Sequence, residues 1–317
     1  MSSVQHIPVL LNEVIAGLDI KPDDVFFDGT INGGGHSKAV YDKLNSKGVL
    51  IGTDLDETAL GKAREKLQGG NAKVVLKQSS FRNLDTVLEQ AQVPTVDKIL
   101  FDLGLSSNQF EESGRGFSFQ KDEPLLMTFK IKPMESDLTA HRIINEWEED
   151  NLAQIIESYG EERFAKKIAH AIVFFREKKE IKTTDELVNI IKEAVPKKYQ
   201  HGRLHPATKT FQALRITVND EIESLRDGLR KGFEHLTAGG RMAVISFHSI
   251  EDRIVKNFFR ERVKEEMGRL INKKPITPSQ KEITENPRSR SAKMRILEKT
   301  TSSNVVPVKT GIQSKQN

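Results

Sequence analysis

The 317-residue chain has no cysteine, one tryptophan and three tyrosines. Without cysteine there is no disulfide framework and no thiolate metal site, and the composition suits a reducing cytoplasm. No apolar stretch approaches the roughly 18 residues of a membrane-spanning helix. The opening MSSVQHIPVLLNEV lacks the basic-then-apolar layout and small-residue cleavage site of a signal peptide. The eight histidines show no ligand spacing with one another or with carboxylates, so no metal is expected. Internal repeats are absent as well. What is present is ordinary for a soluble protein, with 37% hydrophobic and 30% charged residues. A net charge of +4 leans only weakly toward polyanions. The length suits about two domains, or one domain with a large insertion.

Strand and helix signals alternate over the first hundred residues. Short apolar runs at Val25–Phe27, Gly48–Asp54, Lys73–Leu76 and Val96–Asp102 are separated by helical stretches near Ser37–Leu44 and Glu57–Leu67. That alternation predicts βαβ units and a parallel sheet. From about 137 to 200 the pattern turns purely helical. Leu152, Ile155, Ile156 and Tyr159 share one face, and Phe164, Ile168, Ile172 and Phe175 share another. Thr183–Glu186 reads as a helix start. Leu214, Val218, Ile222, Leu225, Leu229 and Leu236 predict one long amphipathic helix ended by Ala238-Gly239-Gly240. A fifth strand follows at Arg241–Phe247, then a helix carrying Ile254, Val255, Phe258 and Phe259, a polar loop to Pro287 and a last strand at Lys293–Glu298. The expected organisation is an α/β core over 1–109 and 211–300, a mainly helical insertion over 110–210 and a disordered tail from 301 to 317.

Between the first strand and its helix lies FDGTINGGGHSKAV, residues 27–40, with four glycines. Such a cluster lets a nucleotide-like ligand approach the backbone. A dinucleotide site would want G-x-G-x-x-G and a phosphate loop G-K-[ST]; the stretch from Gly33 to Lys38 supplies neither. The reading best matched by spacing is an S-adenosylmethionine site, with Asp28 ending the first strand and Asp54 ending the second.

Several blocks carry a family resemblance: His6–Glu13, Asp28-Gly-Thr with Gly33-Gly-Gly-His-Ser37, Leu103–Ser107, Arg115–Phe119, Tyr159–Phe164, His205–Ile216, Ile245–Ser249 and Asn286–Ser291. In these the chain resembles the RsmH (MraW) family. The resemblance implies a Rossmann-like class I S-adenosylmethionine-dependent methyltransferase core interrupted by a helical domain. It also implies methylation of the N4 amine of a cytidine in the decoding region of bacterial 16S ribosomal RNA, within the small ribosomal subunit. The family's cofactor contacts fall on Gly34, Gly35, His36, Asp54, Phe81, Asp102 and Gln109. Phe81 taken alone also fits plain core.

A cytosine amine is a poor nucleophile because its lone pair is delocalised, so an enzyme must position it and accept its N–H. Asp102, at the end of strand four, is the candidate for that work. His248, after strand five, is a second candidate, and a structural histidine is nearly as good a reading. RNA calls for positive charge, and two basic stretches supply it. One holds Arg288, Arg290, Lys293, Arg295 and Lys299; the other holds Lys197, Lys198, Arg203 and Lys209. Ordinary solvated faces remain the alternative. A methyltransferase of DNA or another RNA, and a noncatalytic RNA-binding or ribosome-assembly protein, also stay open. Two departures from the family pattern stand out. Asn32 replaces a usual glycine, and Leu126, Thr128 and Lys130 replace two aspartates and an arginine in P-L-D-M-R-M-D. We expect Asn32 to take the left-handed backbone, and we read the lost carboxylates as a replaceable ion-pair network rather than as chemistry.

Overall fold

A computed structural model describes residues 7–104, 113–202 and 204–301. Helix α1 (Leu11–Leu18) precedes β1 (Val25–Asp28), α2 (Gly35–Tyr41), β2 (Val49–Asp54), α3 (Glu57–Lys66), β3 (Lys73–Gln78), α4 (Leu84–Ala91) and β4 (Val96–Asp102). Five helices follow: α5 (Ala140–Glu146), α6 (Glu149–Gly160), α7 (Ala165–Arg176), α8 (Thr184–Ala194) and α9 (Lys197–Gln200). Then come α10 (Thr208–Asn219), α11 (Glu221–His235), β5 (Leu236–Ser246), α12 (Ser249–Lys264), β6 (Gly268–Leu270), α13 (Gln280–Glu285) and β7 (Lys293–Lys299).

The strands form one sheet in the order β3-β2-β1-β4-β5-β7-β6. The pairs from β3 through β5 are parallel, and β7 runs antiparallel to both of its neighbours. Parallel strands buried on both faces read as continuous apolar runs, and neighbouring residues serve opposite sides. Phe26, Leu50 and Leu100 enter one core with Met294 and Ile296. Phe27, Ile51 and Phe101 enter the other with Leu225 and Leu229. A third apolar cluster runs from Phe117 to Leu214 and is built mainly from α5–α8 and α10. The capping box of Thr183 and Glu186 starts α8, as the sequence predicts.

Four features differ from expectation. The single long helix after residue 208 is two helices, because Asp220 takes a left-handed conformation (φ 49°) that ends α10 and begins α11. Apolar periodicity survives such a break, since both helices bury the same kind of stripe. Leu236 belongs to β5, and Ala238-Gly239-Gly240 lies inside that strand, where pairing with β4 shifts between Val96 and Lys98. Gly239 at φ 79° serves a bulge rather than a helix end. The polar stretch before Pro287 contains β6 and α13, whose short lengths leave no periodic signal. Helix α1, also unanticipated, packs Val14 and Leu18 into the core.

Gly29, just beyond β1, is required by packing. A Cβ there would lie 2.5 Å from the Phe101 ring and 2.8 Å from Phe81 Cβ. Gly29→Ala is expected to lower stability by about 1–3 kcal/mol through overpacking. A wild-type midpoint in urea unfolding would refute that.

Candidate functional site

Where strand order reverses between β1 and β4, the carboxyl ends of the strands open a crevice, the usual ligand position in open α/β sheets. A cavity of about 270 Å³ occupies it. Asp54 from the end of β2, Ser79–Arg82 beyond β3 and Asp102–Gly104 from the end of β4 form one side of its lining. Phe129, Asn219, Glu221 and Ser224 contribute from the later chain.

Asp54 is buried, and each of its oxygens already accepts a backbone N–H: Oδ2 from Asn32 at 3.0 Å and Oδ1 from Asp56 at 2.9 Å. Burial raises its pKa above 3.8, against the pull of these bonds. Each carboxylate oxygen keeps a further lone pair for a ligand hydroxyl. Phe81 lines the cavity while its ring packs 4.9 Å from Phe101, so it is both core and wall.

Asp102 is buried and its pKa is pushed up to about 7 by loss of water, with Glu251 adding repulsion. Its Oδ1 accepts from Gly104 N, and its Oδ2 lies 3.6 Å from His36 Nδ1. His36 Nε2 is 2.9 Å from the Val9 carbonyl, which cannot donate; Nε2 therefore carries the hydrogen and Nδ1 presents a lone pair toward Asp102. Burial lowers the His36 pKa, which keeps the ring neutral. Beneath them Asp28, raised to about 6 by burial, accepts from Ser37 Oγ at 2.6 Å and from Thr30 N at 3.1 Å. Unfolded aspartate loses its proton near 3.8 and folded Asp102 near 7, so this group's contribution to stability falls as pH rises through that window.

Other residues singled out in the sequence sit elsewhere. Asp28, Gly34, Gly35 and His36 are absent from the cavity lining. These glycines also have packing reasons: a Cβ on Gly35 would meet Pro8 at 2.5 Å, and Gly34 takes φ 78° against Ala63. His248 caps α12, with Nδ1 accepting from Glu251 N, and it too is outside the lining. Its buried Nε2 lies 3.1 Å from Glu251 Oε1 at an angle too poor for a hydrogen bond. Glu221, His248 and Glu251 are close enough to suggest a cation site. Two facts oppose one: Nδ1 is already an acceptor, so Nε2 holds a proton, and Arg215 forks both oxygens of Glu221 at 2.8 Å. Gln109 and Arg203 lie outside the described residues.

Among the cations near the C-terminus, Arg295, Lys293 and Lys299 are engaged within the fold. Arg295 forks Asp252 at 2.7 and 3.2 Å, Lys293 is 3.6 Å from the same carboxylate, and Lys299 donates to the Phe233 and Glu234 carbonyls. Arg288 and Arg290 are exposed on a single 3₁₀ turn, and Lys197 and Lys198 are exposed on α9.

The departures from the family pattern have local explanations. The segment at 127–130 is held by its backbone: Arg115 Nη1 donates to the carbonyls of Thr128, Phe129 and Lys130, and the Asn219 side chain holds Met127 O and Phe129 N. Leu126 faces a separate depression with Met134 and Asp137, and Lys130 pairs with Asp137. Asn32 takes φ 45°, and its amide reaches the carbonyls of Asp102 and Gly104 at 3.4 and 3.2 Å. The lining residues Asn219, Glu221, Ser224 and Phe129 carried no sequence signal, because only the fold brings them to the crevice.

The MraW methylase family model matches residues 3–300. Ribosomal RNA small subunit methyltransferase H of Acetivibrio thermocellus is 47% identical over 312 residues, covering 93% of this chain and 99% of that protein. Its namesake in Clostridioides difficile is 43% identical over 309 residues, covering 93% and 98%. Among solved structures, an rRNA methylase from Streptococcus thermophilus aligns at 11% identity and TM-score 0.43, over 95% of this chain and 100% of that one.

Asn32→Ala is expected to cost about 1–2 kcal/mol, since alanine resists a left-handed backbone and cannot tie the loop to β4. Asn32→Gly keeps the backbone freedom and should lose less. Equal losses in chemical denaturation would remove the backbone argument.

Proposed function

We propose, from the premise that this chain belongs to the MraW methylase family, that it is an S-adenosylmethionine-dependent ribosomal RNA methyltransferase. Its substrate on this reading is the exocyclic N4 amine of a cytidine in the decoding region of 16S RNA, in the small ribosomal subunit. The observation that carries the reading is the acidic cavity at the strand carboxyl ends, with Asp54 and Asp102 on its wall. Residues 1–109 and 211–300 are read as the methyltransferase core, and 110–210 as its helical insertion.

Bound S-adenosylmethionine supplies a methyl group activated by a sulfonium. Asp54 would accept hydrogen bonds from the ribose hydroxyls, and Phe81 would lie against the adenine face. The carboxylates of the cavity also favour a cationic cofactor. Asp102, at the end of β4, accepts an N–H of the target amine and takes the proton that methylation releases. His36 Nδ1, with its lone pair turned to Asp102 Oδ2, is placed to share that proton, because a 3.6 Å approach in the free protein can tighten on binding. Outside the cavity, Arg288, Arg290, Lys197 and Lys198 are the candidates for phosphate contact. Mass spectrometry of 16S nucleosides from cells with and without the protein tests the assignment. An unchanged N4-methylcytidine content would overturn it.

Asp54→Ala should weaken S-adenosylmethionine binding at least tenfold by calorimetry, because charge-assisted bonds of about 1.5–3 kcal/mol are lost. Unchanged affinity would reject the ribose contact. Asp102 must be ionised to accept a proton. With its pKa near 7, kcat/KM should fall as pH drops below that value. Asp102→Asn should cut turnover more than cofactor affinity and abolish this acidic limb. Equal losses, or a surviving limb, would confine Asp102 to binding.

A further inference from the structure

A second concavity, of about 540 Å³, lies away from the cofactor cavity, lined by Arg163, Pro196, Lys198, Tyr199, Gly202 and Lys209. We infer that it is a docking site for a backbone phosphate of the substrate RNA, a few nucleotides from the target base. The inference rests on the reading of the chain as an RNA methyltransferase and adds a site to it.

The arginine is built in place. Its guanidinium carbon lies 4.8 Å from the Phe164 ring centroid and 4.7 Å from that of Tyr199. Those two rings meet edge to face at 4.9 Å. Contact with ring faces fixes the plane of the guanidinium and leaves its N–H edge for a planar or tetrahedral anion, the use to which arginine is best suited. Such a group loses little freedom on binding, unlike a solvated lysine.

The neighbouring acids are turned to other work. Glu162 is buried and accepts from Tyr199 Oη at 2.5 Å and from Phe164 N at 2.9 Å. Glu161 is held by Ser249 and Arg253 at the start of α12. Among the described residues, no carboxylate pairs with Arg163 or Lys198. Lys209 donates to the Glu161 carbonyl at 2.6 Å, and its charge also helps hold the Glu161 pKa below 4.5, after Ser249 and Arg253. Tyr199, held by Glu162, has its pKa pushed up to about 12 by burial and that carboxylate, so its ring stays neutral. The result is a concave face carrying three cations, with Glu161 tied to Ser249 and Arg253 and Glu162 buried behind Tyr199.

Its place in the fold fits a strand already engaged at the cofactor cavity. Helix α10 begins beside Lys209 and ends at Asn219, which lines that cavity. Ten residues of α-helix span about 15 Å. One short single strand can reach both ends.

The test uses the full-length chain and a fluorescein-labelled single-stranded RNA oligonucleotide, with affinity measured across a potassium chloride series. Arg163→Gln and Lys198→Gln should each flatten the log–log salt dependence by about 0.7, the single-strand value for one phosphate, and the double variant by about twice that. Low-salt affinity should fall several-fold while S-adenosylmethionine affinity by calorimetry stays unchanged. Lys198 is exposed and holds nothing together, so Lys198→Gln remains informative even if Arg163→Gln disturbs its aromatic neighbours. Wild-type slopes in both variants would overturn the site, including the case in which poly-glutamate binds there instead of RNA. Reduced slopes in a chain that transfers no methyl to small-subunit RNA would instead sink the functional reading and leave the docking site standing.

Discussion

Parallel pairing of β1 with both β2 and β4 is the constraint on which the cavity depends. The register sets Asp28 opposite Gly52 on one side and Leu100 on the other, so the strands finish nearly level and their last residues share one edge. Connections that leave β1 and β4 in opposite directions cannot fill the gap between them. The Asn32 amide spans it, and the Asp102 N–H crosses in return to Thr30 Oγ1 at 2.6 Å. These bonds hold two loops at fixed spacing while leaving the space beside them open.

The same edge collects carboxylates, and burial governs what each can do. Asp54 keeps two backbone donors and lies on the cavity wall, whereas Asp28 is sealed below and spends itself on Ser37 and Thr30. Asp102 is the least compensated of the three: one long bond from Gly104 is set against complete loss of water. A carboxyl poised near neutral pH beside a neutral imidazole follows from that shortage. Adding a strong donor to Asp102 would make it a better structural group and a poorer base.

Much of the fold was legible in the sequence because its signals are local. The apolar runs ending in Asp28, Asp54 and Asp102 mark β1, β2 and β4, and the Thr183–Glu186 box marks α8. The break at Asp220 was not legible, because an aspartate inside an unbroken apolar stripe looks solvated until its φ is known. Family resemblance named the glycine loop, and the packing of its glycines against Pro8, Ala63 and the Phe101 ring was not legible. Those partners come from distant segments. At the candidate site, Asp54 and Asp102 were legible from their places at strand ends, and the family resemblance supplied Phe81. Asn219, Glu221 and Ser224 were not, since they arrive on two helices more than a hundred residues later.

Charge shows most clearly where counting gives way to geometry. In the sequence the C-terminal basic stretch sets five cations against Glu298 alone. In the fold Asp252 takes up Lys293 and Arg295, and Glu298 takes up Arg241 and Arg269. Asp252 comes from α12, an element whose proximity the local composition cannot reveal. Around Tyr199 the opposite holds: two glutamates directly precede Arg163, and both are engaged by other groups. A cation is available to an external anion only when the nearby acids have better partners.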